Sequence, residues 1–76
     1  MTELKDETLL RRAELSAALT EAGFPIATST LATIACRGHG PAYRRFGRTP
    51  LYEWGTALKW ARSRLSGLVT NTSEAA

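Results

Sequence analysis

Four side chains in the middle of this 76-residue sequence are the ones best suited to chemistry with a partner. Between Ala22 and Tyr52 every charged residue is an arginine: Arg37, Arg44, Arg45 and Arg48. All seven acidic residues (Glu3, Asp6, Glu7, Glu14, Glu21, Glu53 and Glu74) fall outside that stretch, so four positive charges gather in a chain whose net charge is +3. A guanidinium is planar, always charged, and holds a phosphate through two hydrogen bonds; it also enters a narrow minor groove. Solvated surfaces usually mix both signs, and this stretch does not. The arrangement therefore points to a polyanion, which net charge alone would not do.

Small hydroxyl side chains precede the arginines. Thr28, Ser29, Thr30 and Thr33 lead to Arg37, and away from the apolar stripe of a helix they form a short polar face able to approach base edges in a major groove. The plainer reading is that they cap the helix and meet solvent, with Arg37 complementing its C-terminus. His39 and Tyr43, with Arg44, Arg45 and Arg48, complete the candidate DNA-contacting set.

Catalysis and metal binding find little support. His39 is the only histidine, set between two glycines with neither a nucleophile nor paired carboxylates beside it, and a general base needs a partner within hydrogen-bond reach. Cys36 is the only cysteine, so no internal disulfide can form. No metal-ligand spacing is recognisable, and Cys36 reads as a small, inert residue near a helix end. Neither a cofactor nor a small-molecule ligand is expected.

The elements that must position these residues follow from periodicity. Leu15, Ala18, Leu19 and Ala22 recur at helical spacing over Arg12 to Ala22, with Gly23 as a stop. Thr28 to Arg37 reads as a second helix with Leu31, Ile34 and Ala35 on one face, Thr28 or Ser29 as its N-cap and Gly38 just past its end. Glycines and prolines then bracket Tyr43 to Phe46 and Leu51 to Tyr52, a β-hairpin with Gly47 at its tip. From Glu53 to Ser66 the helical period returns through Trp54, Ala57, Leu58, Ala61 and Leu65, with Trp54 as the anchor to the core. The expected fold class is α+β: a helix-turn-helix, a two-stranded hairpin and a C-terminal helix.

A chain of this length fits one domain, assigned to residues 9–66, with polar, aperiodic residues 1–8 and 67–76 as flexible tails. No apolar run approaches the roughly 20 residues of a membrane span, and the start MTELKDET is unlike a secretory signal. A cytoplasmic, nucleoid-associated protein of a bacterium is expected, with no membrane partner.

The order of these elements resembles the MerR-like winged helix-turn-helix of the excisionase superfamily, also called recombination directionality factors. Three stretches carry the resemblance: LLRRAELSAAL, STLATIACRGHGPAYRRFGR and LYEWGTALKWARSRL. The middle one, a helix ending in arginine followed by a glycine pair, a proline and a basic hairpin, is the specific one. The resemblance implies that the second helix lies in the major groove, with Ser29, Thr30, Thr33 and Arg37 facing it. The hairpin, as a wing bearing Arg45 and Arg48, would enter the adjacent minor groove. Ala27 stands where a serine often caps that helix, so the cap is expected to slide to Thr28 and the register to shift by one.

Members of this family bind side by side on attachment-site DNA and bend it so that an integrase assembles the excision complex. The implied partners are double-stranded DNA, neighbouring copies of the chain and a site-specific integrase. A small prophage-type transcription regulator is the alternative on the same fold. A protein-only interaction module is a further one, supported if Tyr52 and Trp60 prove exposed, although it leaves the acid-free stretch unexplained.

Overall fold

Apolar side chains too few to fill more than one small core gather where three helices meet two strands of the sheet. A computed structural model describes residues 4–68. It shows a small α+β fold in the order β1 (Leu9–Leu10), α1 (Arg12–Glu21), α2 (Thr28–Arg37), β2 (Arg44–Phe46), β3 (Thr49–Glu53) and α3 (Trp54–Ser63). The core consists of Leu10, Leu15, Leu19, Leu31, Tyr52, Trp54, Ala57 and Ala61, drawn from five of the six elements. Among the described residues no helix is long and apolar enough to cross a membrane.

α1 buries Leu15 and Leu19, spaced i to i+4. At its start Glu14 reaches back to accept the backbone N–H of Arg11 at 2.9 Å, the carboxylate half of a capping box. At its end Gly23 takes a left-handed φ of 103°. The N–H groups of Phe24 and Gly23 then donate to the carbonyls of Leu19 and Thr20, a Schellman closure that turns the chain sharply. The Ser16 hydroxyl donates to the Ile26 carbonyl at 2.6 Å and ties this turn to α1. α2 then packs through Leu31, and the N–H groups of Gly38 and His39 close it in the same way on Ala35 and Ile34.

The expected cap of α2 is corrected. Neither Thr28 nor Ser29 is the N-cap; Ala27 is, with extended φ −83° and ψ 153°, and its carbonyl accepts the N–H of Leu31. The short turn held by Ser16 fixes where the helix can begin, so the cap does not slide and Thr28 is the first helical residue.

The expected two-stranded hairpin is part of a three-stranded antiparallel sheet of order β1-β3-β2. Leu9 and Leu10 pair with Glu53 and Tyr52, while Arg44, Arg45 and Phe46 pair with Leu51, Pro50 and Thr49. β1, only two residues long, is too short to leave a period in the sequence. The turn is Gly47-Arg48, and its first residue has φ 65°, the sign that a two-residue type II′ connection requires there.

Two further expectations change. Residues 4–8 are not free of the fold: Leu4 packs against the core, the Thr8 carbonyl accepts the N–H of Trp54 and the Asp6 carbonyl that of Gly55, both at 2.9 Å. Those two N–H groups begin α3, whose cap Glu53 contributes no side-chain hydrogen bond, so the segment before β1 satisfies donors that would otherwise lack a partner. Gly67 and Leu68 are exposed and outside any helix or strand, and the other tail residues, 1–3 and 69–76, lie outside the described residues. At the other end α3 stops at Ser63 instead of Ser66, and Leu65 is 62% exposed. Past Ala61, the last buried residue of α3, no described residue buries the stripe.

Gly55 marks the tightest approach. A Cβ built there would stand 2.7 Å from the Asp6 Cβ and 3.2 Å from its Cα. Glycine to alanine inside a helix normally gains up to about 1 kcal/mol, but here crowding of about 1–3 kcal/mol opposes it. Gly55→Ala is expected to lower the urea midpoint of the full chain and to raise it in a chain lacking residues 1–8. A gain in both backgrounds would refute the close packing of this segment on α3.

Candidate nucleic-acid interface

The hairpin that carries the arginines is held at its base by three side chains. Tyr52, fully buried on the central strand, has its hydroxyl oxygen 2.9 Å from the Nε of Arg12, which donates to it from the first turn of α1. Tyr43, just before β2, packs its ring against that of Tyr52 at 5.3 Å between centroids and 39° between planes. The Arg12 guanidinium lies 5.8 Å from the centre of the Tyr43 ring, within reach of a cation–π attraction. A tyrosine buried without a partner for its hydroxyl is costly; Arg12 supplies one and joins hairpin to helix. Tyr43 and Arg12 thus serve to set the hairpin's root, and periodicity gave no sign of it because the three residues come from separate elements.

Side chains alternate along the strands, so the pairing register separates the arginines. Arg44 and Phe46 share one face with Thr49, Leu51 and Glu53; Arg45 shares the other with Pro50 and Tyr52. Arg44 is matched, its Nε lying 3.7 Å from Glu53 Oε1. Such an exposed pair is worth roughly 0–1 kcal/mol and is easily exchanged for another anion. Among the described residues Arg37, Arg45 and Arg48 form no ion pair, and all three are exposed. Arg48 occupies the turn itself, beside Gly47.

On α2, helical spacing brings Ser29, Thr33 and Arg37 to one exposed face, with Thr30 at its edge. Thr28 falls on a different side, in line with the half-buried Ala32 and Ala35. The Thr33 hydroxyl donates back to the Ser29 carbonyl at 3.0 Å, so its proton is engaged and its oxygen is left as an acceptor. Two residues of this surface escaped the sequence reading. Cys36 is exposed and falls beside Ser29, at the edge of that face away from Arg37, which its spacing of seven from Ser29 would have signalled. Phe46 is 78% exposed, at the end of β2 beside the turn and next to the exposed Arg45 and Arg48.

His39 is exposed, and its backbone carbonyl accepts the indole N–H of Trp60 at 3.1 Å, which ties the loop after α2 to α3. Trp60 is half-buried and Tyr52 has no exposure, so the pair on which a protein-only module would have relied is largely inside. Among the described residues no three histidine, cysteine or acidic side chains gather where they could hold a metal ion. Comparison with protein-family models, with characterised proteins and with solved structures gives no significant match to this chain.

The Arg12–Tyr52 hydrogen bond is expected to be measurable. Replacing Arg12 with Met keeps the alkyl stem and removes the donor, which should destabilise the fold by about 1–2 kcal/mol and lower Tm by roughly 4–8 °C per kcal/mol at this size. Combined with Tyr52→Phe, the loss should be smaller than the sum of the two single losses. Strict additivity in thermal melts would mean that the two groups do not interact.

Proposed function

We propose that this chain is a non-catalytic binder of duplex DNA with a winged helix-turn-helix, acting as an excisionase that bends attachment-site DNA for integrase-mediated excision of a mobile element. One observation carries the DNA reading: Arg37, Arg45 and Arg48 are exposed and, among the described residues, form no ion pair, on a helix and a hairpin whose one acidic residue, Glu53, is taken by Arg44. In this reading α2 presents Ser29, Thr33, Cys36 and Arg37 to the major groove, since small side chains let the backbone come close to base edges. The hairpin is the wing, and the Gly47-Arg48 turn lets it enter the minor groove. Glu53 holds Arg44 in reserve, and a phosphate displaces that carboxylate.

The excisionase role in particular rests on the family resemblance of the middle stretch. A module this small buries roughly 600–1,000 Å² on DNA, at the low end for specific binding, so several copies on adjacent sites fit better than one. Hydroxyl-radical footprinting on the DNA around the chain's own gene separates the alternatives: a run of abutting sites beside an integrase attachment site supports excision control. A single site over a promoter would make it a transcription regulator.

Salt dependence tests the contacts. Each phosphate neutralised contributes about −0.9 to the slope of log affinity on log salt, so the three free arginines alone should give about −2.7 or steeper in fluorescence anisotropy. Arg48→Ala should weaken every sequence by a similar factor and make the slope shallower by about 0.9, whereas Thr33→Ala should change preference at one or two base pairs. Binding indifferent to salt would sink the proposal.

A further inference from the structure

We propose that Phe46 is an apolar wedge, which the wing drives between adjacent base pairs from the minor groove and so kinks the duplex. This rests on the DNA-binding reading above and names the residue through which bending is produced. Phe46 belongs neither to the core cluster nor to the partly buried hydrophobic residues packed against it, and most of its surface faces solvent. Its cross-strand partner is Thr49, and at 78% it is the most exposed aromatic among the described residues. Leaving a phenyl ring in water is unfavourable by about 25 cal/mol per Å² of apolar surface, so the ring needs a partner elsewhere.

Its neighbours say what kind. Arg44 lies two residues before it on the same face, Arg45 precedes it on the other face, and the turn beyond it carries Arg48. A surface that buried this ring in another protein's apolar patch would have to bring three guanidinium groups to that patch. A base-pair step offers both needs at once, an apolar gap between stacked bases and a phosphate row on either side. The tip is narrow enough to follow, since Gly47 has no side chain. Wedges of this kind kink DNA by about 20–90°, and pyrimidine–purine steps, which unstack most easily, are the expected points of entry.

The rival occupant is a second copy of the chain. A groove of about 270 Å³ between the α1–α2 turn and the end of α3 is lined by Phe24, Pro25, Ile26, Ile34, Trp60 and Leu65, and a phenyl ring would fit it. The groove also carries Arg64, whose guanidinium stands 5.7 Å from the centre of the Trp60 ring. A visiting wing would add its own arginines to that charge, which favours DNA over the groove.

The test uses the full chain and a footprinted duplex of about 30 base pairs, with dyes at both ends for distance and 2-aminopurine at a central TA step. Wild type is expected to shorten the end-to-end distance and raise the 2-aminopurine signal. Phe46→Ala should lose most of both and about tenfold in affinity, while Phe46→Leu, still apolar, should retain at least half of the bend. Both variants should melt close to the wild-type temperature, since the residue is 78% exposed and lies outside the core cluster. An unchanged bend and 2-aminopurine signal in Phe46→Ala overturns the wedge and leaves DNA binding standing. Loss of self-association in sedimentation without loss of bend assigns the ring to the second copy. No binding of any duplex by the wild type overturns the wedge and the DNA reading together.

Discussion

Everything exposed on the hairpin depends on one residue that is not exposed. Tyr52 lies on the central strand of the sheet, pairs with Leu10 on its β1 side, and meets Tyr43 and Arg12 through its ring and hydroxyl. A buried phenol must find a hydrogen-bond partner, and the only one described is the guanidinium at the start of α1. That requirement fixes the hairpin with respect to α1, and α1 is also the helix against which α2 packs. The polar face of α2 and the arginines of the hairpin are thus referred to the same support, which a surface reading two features of one rigid partner needs.

Much of the frame was legible in the sequence, for reasons that can be named. Leu15 and Leu19, Trp54, Ala57 and Ala61 recur at helical spacing because they are buried on helices, and Gly23, Gly38 and Gly47 punctuate the chain where it turns. What was not legible came from contacts distant in sequence. β1 is two residues, defined only by its pairing with β3. Residues 4–8 are mostly polar and aperiodic, yet the carbonyls of Asp6 and Thr8 accept the first N–H groups of α3. Leu65 kept the helical period, but burial needs an opposing surface as well as a period.

The candidate site divides in the same way. The acid-free stretch around Arg37, Arg45 and Arg48 is plain in the sequence, while the pairing of Arg44 with Glu53 follows from β register, where the diagonal neighbour is farther than the direct one but within reach of a long side chain. The hydroxyl of Thr33 was counted as a free group and is half engaged by its own helix. Cys36 was set aside as inert because a lone cysteine is usually buried, and its position on the exposed face of α2 comes from helix phase.

The capping of α3 by the carbonyls of Thr8 and Asp6 bears on how the chain acquires its structure. The sheet closes by joining residues 9–10 to residues 52–53, and the donors that begin α3 are satisfied from the opposite part of the sequence. A ribosome therefore has to release most of the chain before either half can finish its hydrogen bonding. α1, α2 and the pairing of β2 with β3 rest on local interactions, but the joining of β1 to β3 and the capping of α3 must come in a late, non-local step. Folding of this kind is all or none: a nascent fragment has no half-built hairpin rigid enough to present its arginines.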